Sequence, residues 1–136
     1  MTDRELINLA FEAMEQAYAP YSGFKVGAAL ECADNSVFLG CNVENAAYGS
    51  TICAERTAVV KAVSEGRRQF RRIAIAAQSE DYCMPCGACR QVLSEFSSDM
   101  EVLSAKKDGR YVSYKLSALL PKVHIKAELA NAADSE

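Results

Sequence analysis

Apolar residues recur at Leu6, Ala10, Ala13, Met14 and Ala17, the spacing of one helical face. Ahead of them, Thr2-Asp3-Arg4-Glu5 has the form of a capping box, so a helix is expected to begin there and to end near Tyr18. Pro20 and Gly23 break the chain. Val26 to Cys32 and Val37 to Cys41 then read as two strands around the turn Ala33-Asp34-Asn35-Ser36, an antiparallel hairpin. A polar loop, Asn42 to Ser50, leads to a second helix from about Thr51 or Ile52. Its apolar face carries Ala58, Val59, Ala62 and Val63, and Gly66 ends it.

Ile73 to Ala77 reads as a short buried strand. Pro85 is placed to open a third helix with Val92, Leu93 and Phe96 inward. Glu101 to Ala105 and Arg110 to Tyr114 are two more strands. The loop Lys107-Asp108-Gly109 is too short for a parallel crossover, so they pair antiparallel. Leu116 to Leu120 is a short helix stopped by Pro121, with a further helix expected toward the C-terminus. The order α-β-β-α-β-α-β-β predicts an α/β layer architecture, a five-stranded mixed sheet flanked by helices.

With 136 residues, half of them apolar and three of them proline, the chain reads as one ordered domain over residues 1–136. Its net charge of −3 argues against nucleic acid as a partner, because a phosphate backbone needs a basic field. Arg67-Arg68 and Arg71-Arg72 do cluster, and they read as the solvated end of the second helix. No apolar run approaches the roughly 20 residues that cross a bilayer, so no membrane partner is expected. Met1-Thr2-Asp3-Arg4-Glu5 has neither the basic nor the apolar region of a signal peptide, which points to the cytoplasm. Thiols stay reduced there, so the six cysteines are read as ligands or small buried residues rather than as disulfides.

Three cysteines fall at three-residue intervals in Cys83-Met-Pro-Cys-Gly-Ala-Cys89. Cys86 and Cys89 share a helix face, whereas Cys83 precedes Pro85 and reads as a loop or core thiol. Cys53 also stands where a helix begins, and it is the natural third ligand of a Zn²⁺ ion, one per chain. Cys32 and Cys41 occupy strand positions and read as packing residues. Three thiolates around a divalent ion leave a local charge of −1. Two helix N-termini oppose it, as does Arg56, which Gln91 is placed to brace. Three protein ligands and an open position make a catalytic zinc site; four thiolates make a structural one. Glu55, two residues after Cys53, favours the first, because beside an open position it can shuttle protons to and from bound water. A closed site of Cys53, Cys83, Cys86 and Cys89 is the alternative, and it gives Glu55 and Arg56 no work.

A ligand, a glutamate two residues on, and a later Pro-Cys-x-x-Cys form the signature of zinc-dependent deaminases. Over its whole length the sequence resembles the small homotetrameric cytidine deaminases. The resemblance rests on Ala19-Pro-Tyr-Ser-Gly-Phe-Lys-Val-Gly-Ala-Ala29, Gly40-Cys-Asn-Val-Glu-Asn-Ala-Ala-Tyr48, Cys53-Ala-Glu-Arg-Thr-Ala58 and Pro85-Cys-Gly-Ala-Cys-Arg-Gln-Val92. It implies a three-layer cytidine-deaminase-like fold and hydrolytic deamination of cytidine and 2′-deoxycytidine in pyrimidine salvage. It also implies that Cys53, Cys86 and Cys89 bind zinc and that Glu55 is the proton shuttle. By the same resemblance Asn42 and Glu44 hold the ribose hydroxyls, Phe24 packs near the base, and the backbone N–H of Ala54 meets the pyrimidine O2. Ala46 and Tyr48 would reach a neighbouring subunit's site, so the active form is expected to be a homotetramer. The family often has a phenylalanine three residues after its Leu-Leu-Pro. Here Leu119-Leu120-Pro121 is followed by Lys122, Val123 and His124.

Overall fold

The structure is a computed structural model that describes residues 1–97 and 99–119. Pro121, His124 and the expected C-terminal helix lie outside the described residues. The elements run α1 (Asp3–Met14), β1 (Val26–Cys32), β2 (Val37–Cys41), α2 (Ala54–Ser64), β3 (Phe70–Ala77), α3 (Gly87–Ser94), β4 (Glu101–Ala105), β5 (Tyr111–Lys115) and α4 (Leu116–Leu119). The strands form one mixed sheet in the order β2-β1-β3-β4-β5. Only β3 and β4 pair in parallel; β1 is antiparallel to both of its neighbours, and β5 to β4.

Helix α1 covers one face, where Leu6, Ile7 and Ala10 pack on Ala29, Ala74 and Leu103. The other face takes α2 and α3 over Ala28, Leu30, Ile73, Ile75 and Val102. The two central strands, β1 and β3, are buried on both sides, which accounts for their nearly unbroken apolar runs. Gly40 sets the height of α2 over the sheet. A Cβ there would stand 2.4 Å from the Ala54 carbonyl oxygen and 2.5 Å from the Ala58 nitrogen. The absence of a side chain at position 40 therefore lets β2 press against the first turn of α2, the turn that carries Glu55.

Several boundaries differ from the sequence expectation, each for a tertiary reason. Helix α1 stops at Met14 rather than Tyr18. The N–H groups of Glu15, Gln16 and Ala17 each reach back three residues instead of four, which tightens the last turn. Tyr18 is instead drawn to the 42–44 segment, donating to the Asn42 carbonyl at 3.0 Å and accepting from Glu44 N–H at 2.8 Å. Helix α2 begins at Ala54, not at Thr51 or Ile52, because Ile52 exchanges two 2.9 Å backbone bonds with Val43. Strand β3 starts three residues earlier than expected, at Phe70. Arg71 and Arg72 are thus strand residues and not the end of a helix, and Arg72 pairs with Glu31 in β1. Helix α3 starts two residues after Pro85, and β5 is shifted one residue from Arg110–Tyr114 to Tyr111–Lys115. Among the described residues no helix is long and apolar enough to cross a membrane.

Candidate active site

Helices α2 and α3 begin in the same way. Cys53 and Cys86 are their N-caps, both with extended backbone (φ −73°, ψ 156° and φ −66°, ψ 168°) and neither side chain bonded to its own helix. N-caps are ordinarily Ser, Thr, Asp or Asn, whose oxygens turn inward to satisfy the first N–H groups. A cysteine in that place leaves its sulfur free to face elsewhere, and here the sulfurs face each other. Cys53 Sγ lies 3.7 Å from Cys86 Sγ, and Cys86 Sγ lies 3.3 Å from Cys89 Sγ. The three sulfurs all fall within 4.8 Å of one another. Tetrahedral Zn–S bonds of about 2.3 Å would put two sulfurs about 3.8 Å apart, so the donor set fits zinc in both spacing and softness. Cys89 is fully buried, Cys53 is half-buried and Cys86 is exposed, so the cluster opens on one side.

One thiol of the cluster, Cys53, is already polarised toward binding a cation. The hydrogen bond from Cys89 to Cys53 pushes Cys53 down to about 5, with smaller help from Arg56 and Cys86. The same bond, with burial, raises Cys89 above the ordinary thiol range. Arg56 donates from Nη2 to Cys53 Sγ at 3.6 Å and to the Thr51 carbonyl at 3.2 Å. Among the described residues its buried Nε has no acceptor, and Gln91 is half-buried on α3.

Glu55, in the first turn of α2, is 5% exposed. Burial pushes its carboxyl up to about 7, and the Cys53 thiolate adds to the rise. Its own backbone N–H, the Cys89 thiol and Arg56 oppose the shift without cancelling it. The result is a carboxyl beside three thiols that changes protonation state near neutral pH.

Cys53, Cys86 and Glu55 line a cavity of about 200 Å³ together with Phe24, Asn42, Thr51 and Ala54. A second hollow of about 240 Å³ adjoins it, sharing Thr51 and adding Ser22, Glu44, Ala46 and Tyr48. Each alone is smaller than the roughly 300–1,000 Å³ usual for a small-molecule site. Larger hollows of about 350 to 520 Å³ lie elsewhere, but none is lined by thiols of the cluster and a buried carboxyl together. Phe24, Asn42, Glu44, Ala46, Tyr48, Cys53, Ala54, Glu55 and Cys86 thus line these two adjoining hollows, while Cys89, Arg56 and Gln91 do not. Their present partners are mostly within the chain. Asn42 Oδ1 accepts from Val26 N–H at 2.9 Å, and its Nδ2 donates to the Phe24 carbonyl at 2.8 Å. Glu44 accepts from the N–H groups of Tyr21 and Ser22, each at 3.0 Å, and from the Ser22 hydroxyl. Ala46 is exposed, as is Tyr48 at 90%. Cys83 lies in the cavity wall but outside the three-thiol cluster, and burial pushes it up to about 11. Thr51, Met84 and Ser22 were not singled out in the sequence. Only the position of Thr51 and Met84, two residues before the clustered Cys53 and Cys86, marks them.

Residues 1–105 match the cytidine and deoxycytidylate deaminase zinc-binding region. A cytidine deaminase of Sporosarcina psychrophila is 46% identical over 135 residues, covering 98% of this chain and 99% of the relative. One from Halalkalibacterium halodurans is 50% identical over 121 residues, with 88% and 92% covered. The crystal structure of cytidine deaminase from Burkholderia pseudomallei superposes with a TM-score of 0.89 at 46% identity, covering 91% of this chain and all of that one. On the match across residues 1–105 and the extent of these identities, the chain belongs to the cytidine and deoxycytidylate deaminase family.

Proposed function

We propose that the protein is a zinc-dependent hydrolase that converts cytidine and 2′-deoxycytidine to uridine and 2′-deoxyuridine in pyrimidine salvage, releasing ammonia. One observation carries the mechanism: a buried carboxyl, raised to about 7 by desolvation, stands in the first turn of the helix whose N-cap sulfur belongs to the three-thiol cluster. Cys53, Cys86 and Cys89 hold one zinc ion per chain. When bound, zinc supplies a Lewis acid that brings the pKa of a coordinated water toward about 7.

Glu55 does the proton work. Matched to neutral pH, its carboxylate takes a proton from the attacking water and delivers it to N3 of the pyrimidine, which makes C4 more electrophilic. Oxygen adds at C4, the C4–N4 bond breaks, and Glu55 helps protonate the departing amino group, which leaves as ammonia. The balance is cytidine plus water giving uridine plus ammonia. Ala54 is the first residue of α2, so its N–H belongs to the set a helix leaves without an internal partner. It is free to donate to O2 of the base. Arg56, bonded to Cys53 Sγ, opposes the net negative charge that three thiolates bring. Phe24 flanks the base, while Asn42 and Glu44 receive the ribose.

The carboxylate of Glu44 favours a nucleoside over a nucleotide, since it accepts a sugar hydroxyl but repels a 5′-phosphate. Tyr21, Phe24 and Tyr48, all more than a third exposed, line the two small hollows, and Tyr18 and Ile52 are exposed as well. Exposed aromatic and aliphatic surface of this kind calls for a covering partner. A homotetramer in which Ala46 and Tyr48 complete a neighbour's site supplies it. Six unpaired thiols suit a reducing compartment, and we place the protein in the cytoplasm. Incubation with cytidine, followed by the ultraviolet change to uridine, tests the reading with cytidylate and adenosine as controls. Conversion of cytidine but not of the controls is expected. An inert cytidine, or cytidylate turned over as well, contradicts it.

A further inference from the structure

The hydroxyl of Ser22 sits between two residues of the nucleoside cavity and bonds to both. It donates to Glu44 Oε2 and accepts from the backbone N–H of Phe24 at 3.0 Å. The N–H groups of Tyr21 and Ser22 meanwhile both point at Glu44 Oε1. Glu44 is therefore gripped by three donors from one turn, and these draw its carboxyl below the usual carboxylate range, the Ser22 hydroxyl most of all. The turn itself is fixed by the 2.9 Å bond from Gly23 N–H to the Ala19 carbonyl, with Gly23 at φ +71°.

We propose that Ser22 is a positioning residue for sugar recognition. Its hydroxyl holds the Glu44 carboxylate at one orientation and, through Phe24 N–H, keeps that orientation in register with the part of the cavity that receives the base. This rests on the reading of Glu44 as the ribose acceptor. The two backbone donors act on Oε1 alone and leave the carboxylate able to swing about it. Ser22 is the donor that fixes Oε2, and with it the direction of the remaining acceptor lone pairs. A carboxylate so held offers a sugar hydroxyl an oriented partner without an ordering cost at binding.

The test compares cytidine with 2′,3′-dideoxycytidine, which has neither ring hydroxyl, in the zinc-loaded protein. The quantity read is the ratio of kcat/KM for the two nucleosides. Ser22→Ala is expected to lower this ratio roughly tenfold, the scale of one hydrogen bond to a charged group. The loss should appear in KM for cytidine rather than in kcat, and Ser22→Thr, which keeps a hydroxyl, should restore most of it. Glu44→Gln serves as the reference and should lower the same ratio at least as far. If Glu44→Gln lowers the ratio while Ser22→Ala does not, the positioning role is overturned and the reading of Glu44 stands. If Glu44→Gln leaves the ratio unchanged, the reading of Glu44 fails and the proposal with it. Equal losses on both nucleosides in Ser22→Ala would mark a merely structural turn residue and also overturn the proposal.

Discussion

Glu31 and Glu55 are both nearly sealed from solvent, 2% and 5% exposed, yet the protein treats them in opposite ways. Glu31 lies on β1, the strand whose other end, Val26, lines the active cavity. Arg72 Nε donates to it at 2.8 Å and Arg71 stands 3.6 Å away. Arg72 also binds Asp3, which ties the start of α1 to the sheet. The Arg72 hydrogen bond dominates, and the Glu31 carboxyl is held below its usual range in spite of burial. Among the described residues no salt bridge holds Glu55. Arg56, whose charge acts on it, is committed to Cys53 Sγ and the Thr51 carbonyl, and burial drives the Glu55 carboxyl up to about 7. A buried carboxylate with a partner is scaffold. One that no salt bridge among the described residues holds costs stability, and such a group fits proton transfer.

The largest way to break this contrast is to take away what Glu55 faces. Cys53→Ala should release zinc to a chromogenic chelator and cost turnover well beyond the roughly 100-fold that follows loss of even an outer partner of a metal site. Retained zinc with retained turnover would show that the sulfur cluster is incidental. Arg72→Ala attacks the other side of the comparison. It strands a buried carboxylate, and urea unfolding should show a loss of about 3 kcal/mol, with turnover per folded molecule little altered. Replacing the pair together, by Glu31→Leu with Arg72→Met, should recover most of that loss, because the charge to be buried is then gone. A double variant as weak as Arg72→Ala would mean that the ties from Arg72 to Asp3 and Met1, rather than its pairing with Glu31, hold the structure.

A smaller effect should appear in pH dependence, with opposite signs at the two residues. The Glu31 carboxyl is lowered from 4.5, so the stability it confers is present above that value and is lost as pH falls below it. The Glu55 carboxyl is raised from 4.5 to about 7, so in the metal-free protein the folded state keeps a proton that the unfolded chain gives up. Its contribution is complete below 4.5 and fades as pH climbs through about 7, on the order of 3 kcal/mol in all. Unfolding curves of metal-free protein between pH 5 and 8 check this. Glu55→Gln should flatten the decline, and an unchanged slope would show that the carboxyl is not desolvated.

Strands β1, β2 and β4 fall at the boundaries that the sequence implies, because alternating or continuous apolar runs end there at clear turn residues. The placing of Cys53, Glu55, Cys86 and Cys89 at helix starts was legible for a similar reason, since the spacings Cys-x-Glu and Pro-Cys-x-x-Cys are local. What escaped was long-range. Arg71-Arg72 looks like a solvated basic run, and nothing nearby in sequence says that Glu31, some 40 residues earlier, draws Arg72 into the sheet. The early end of α1 and late start of α2 come from backbone bonds among Tyr18, Val43 and Ile52, three segments that periodicity treats separately. Ser22 carries no signal in its own right, and its importance appears once the 21–24 turn is seen folded over Glu44.

The most direct test of the central claim measures zinc content and cytidine turnover on the same preparation of Glu55→Gln. Glutamine keeps the size and polarity of the side chain but cannot take up and pass on a proton. One zinc per chain with turnover reduced by at least roughly 10²–10⁴-fold is the predicted result. A fully zinc-loaded Glu55→Gln protein that deaminates cytidine at close to the normal rate would contradict it.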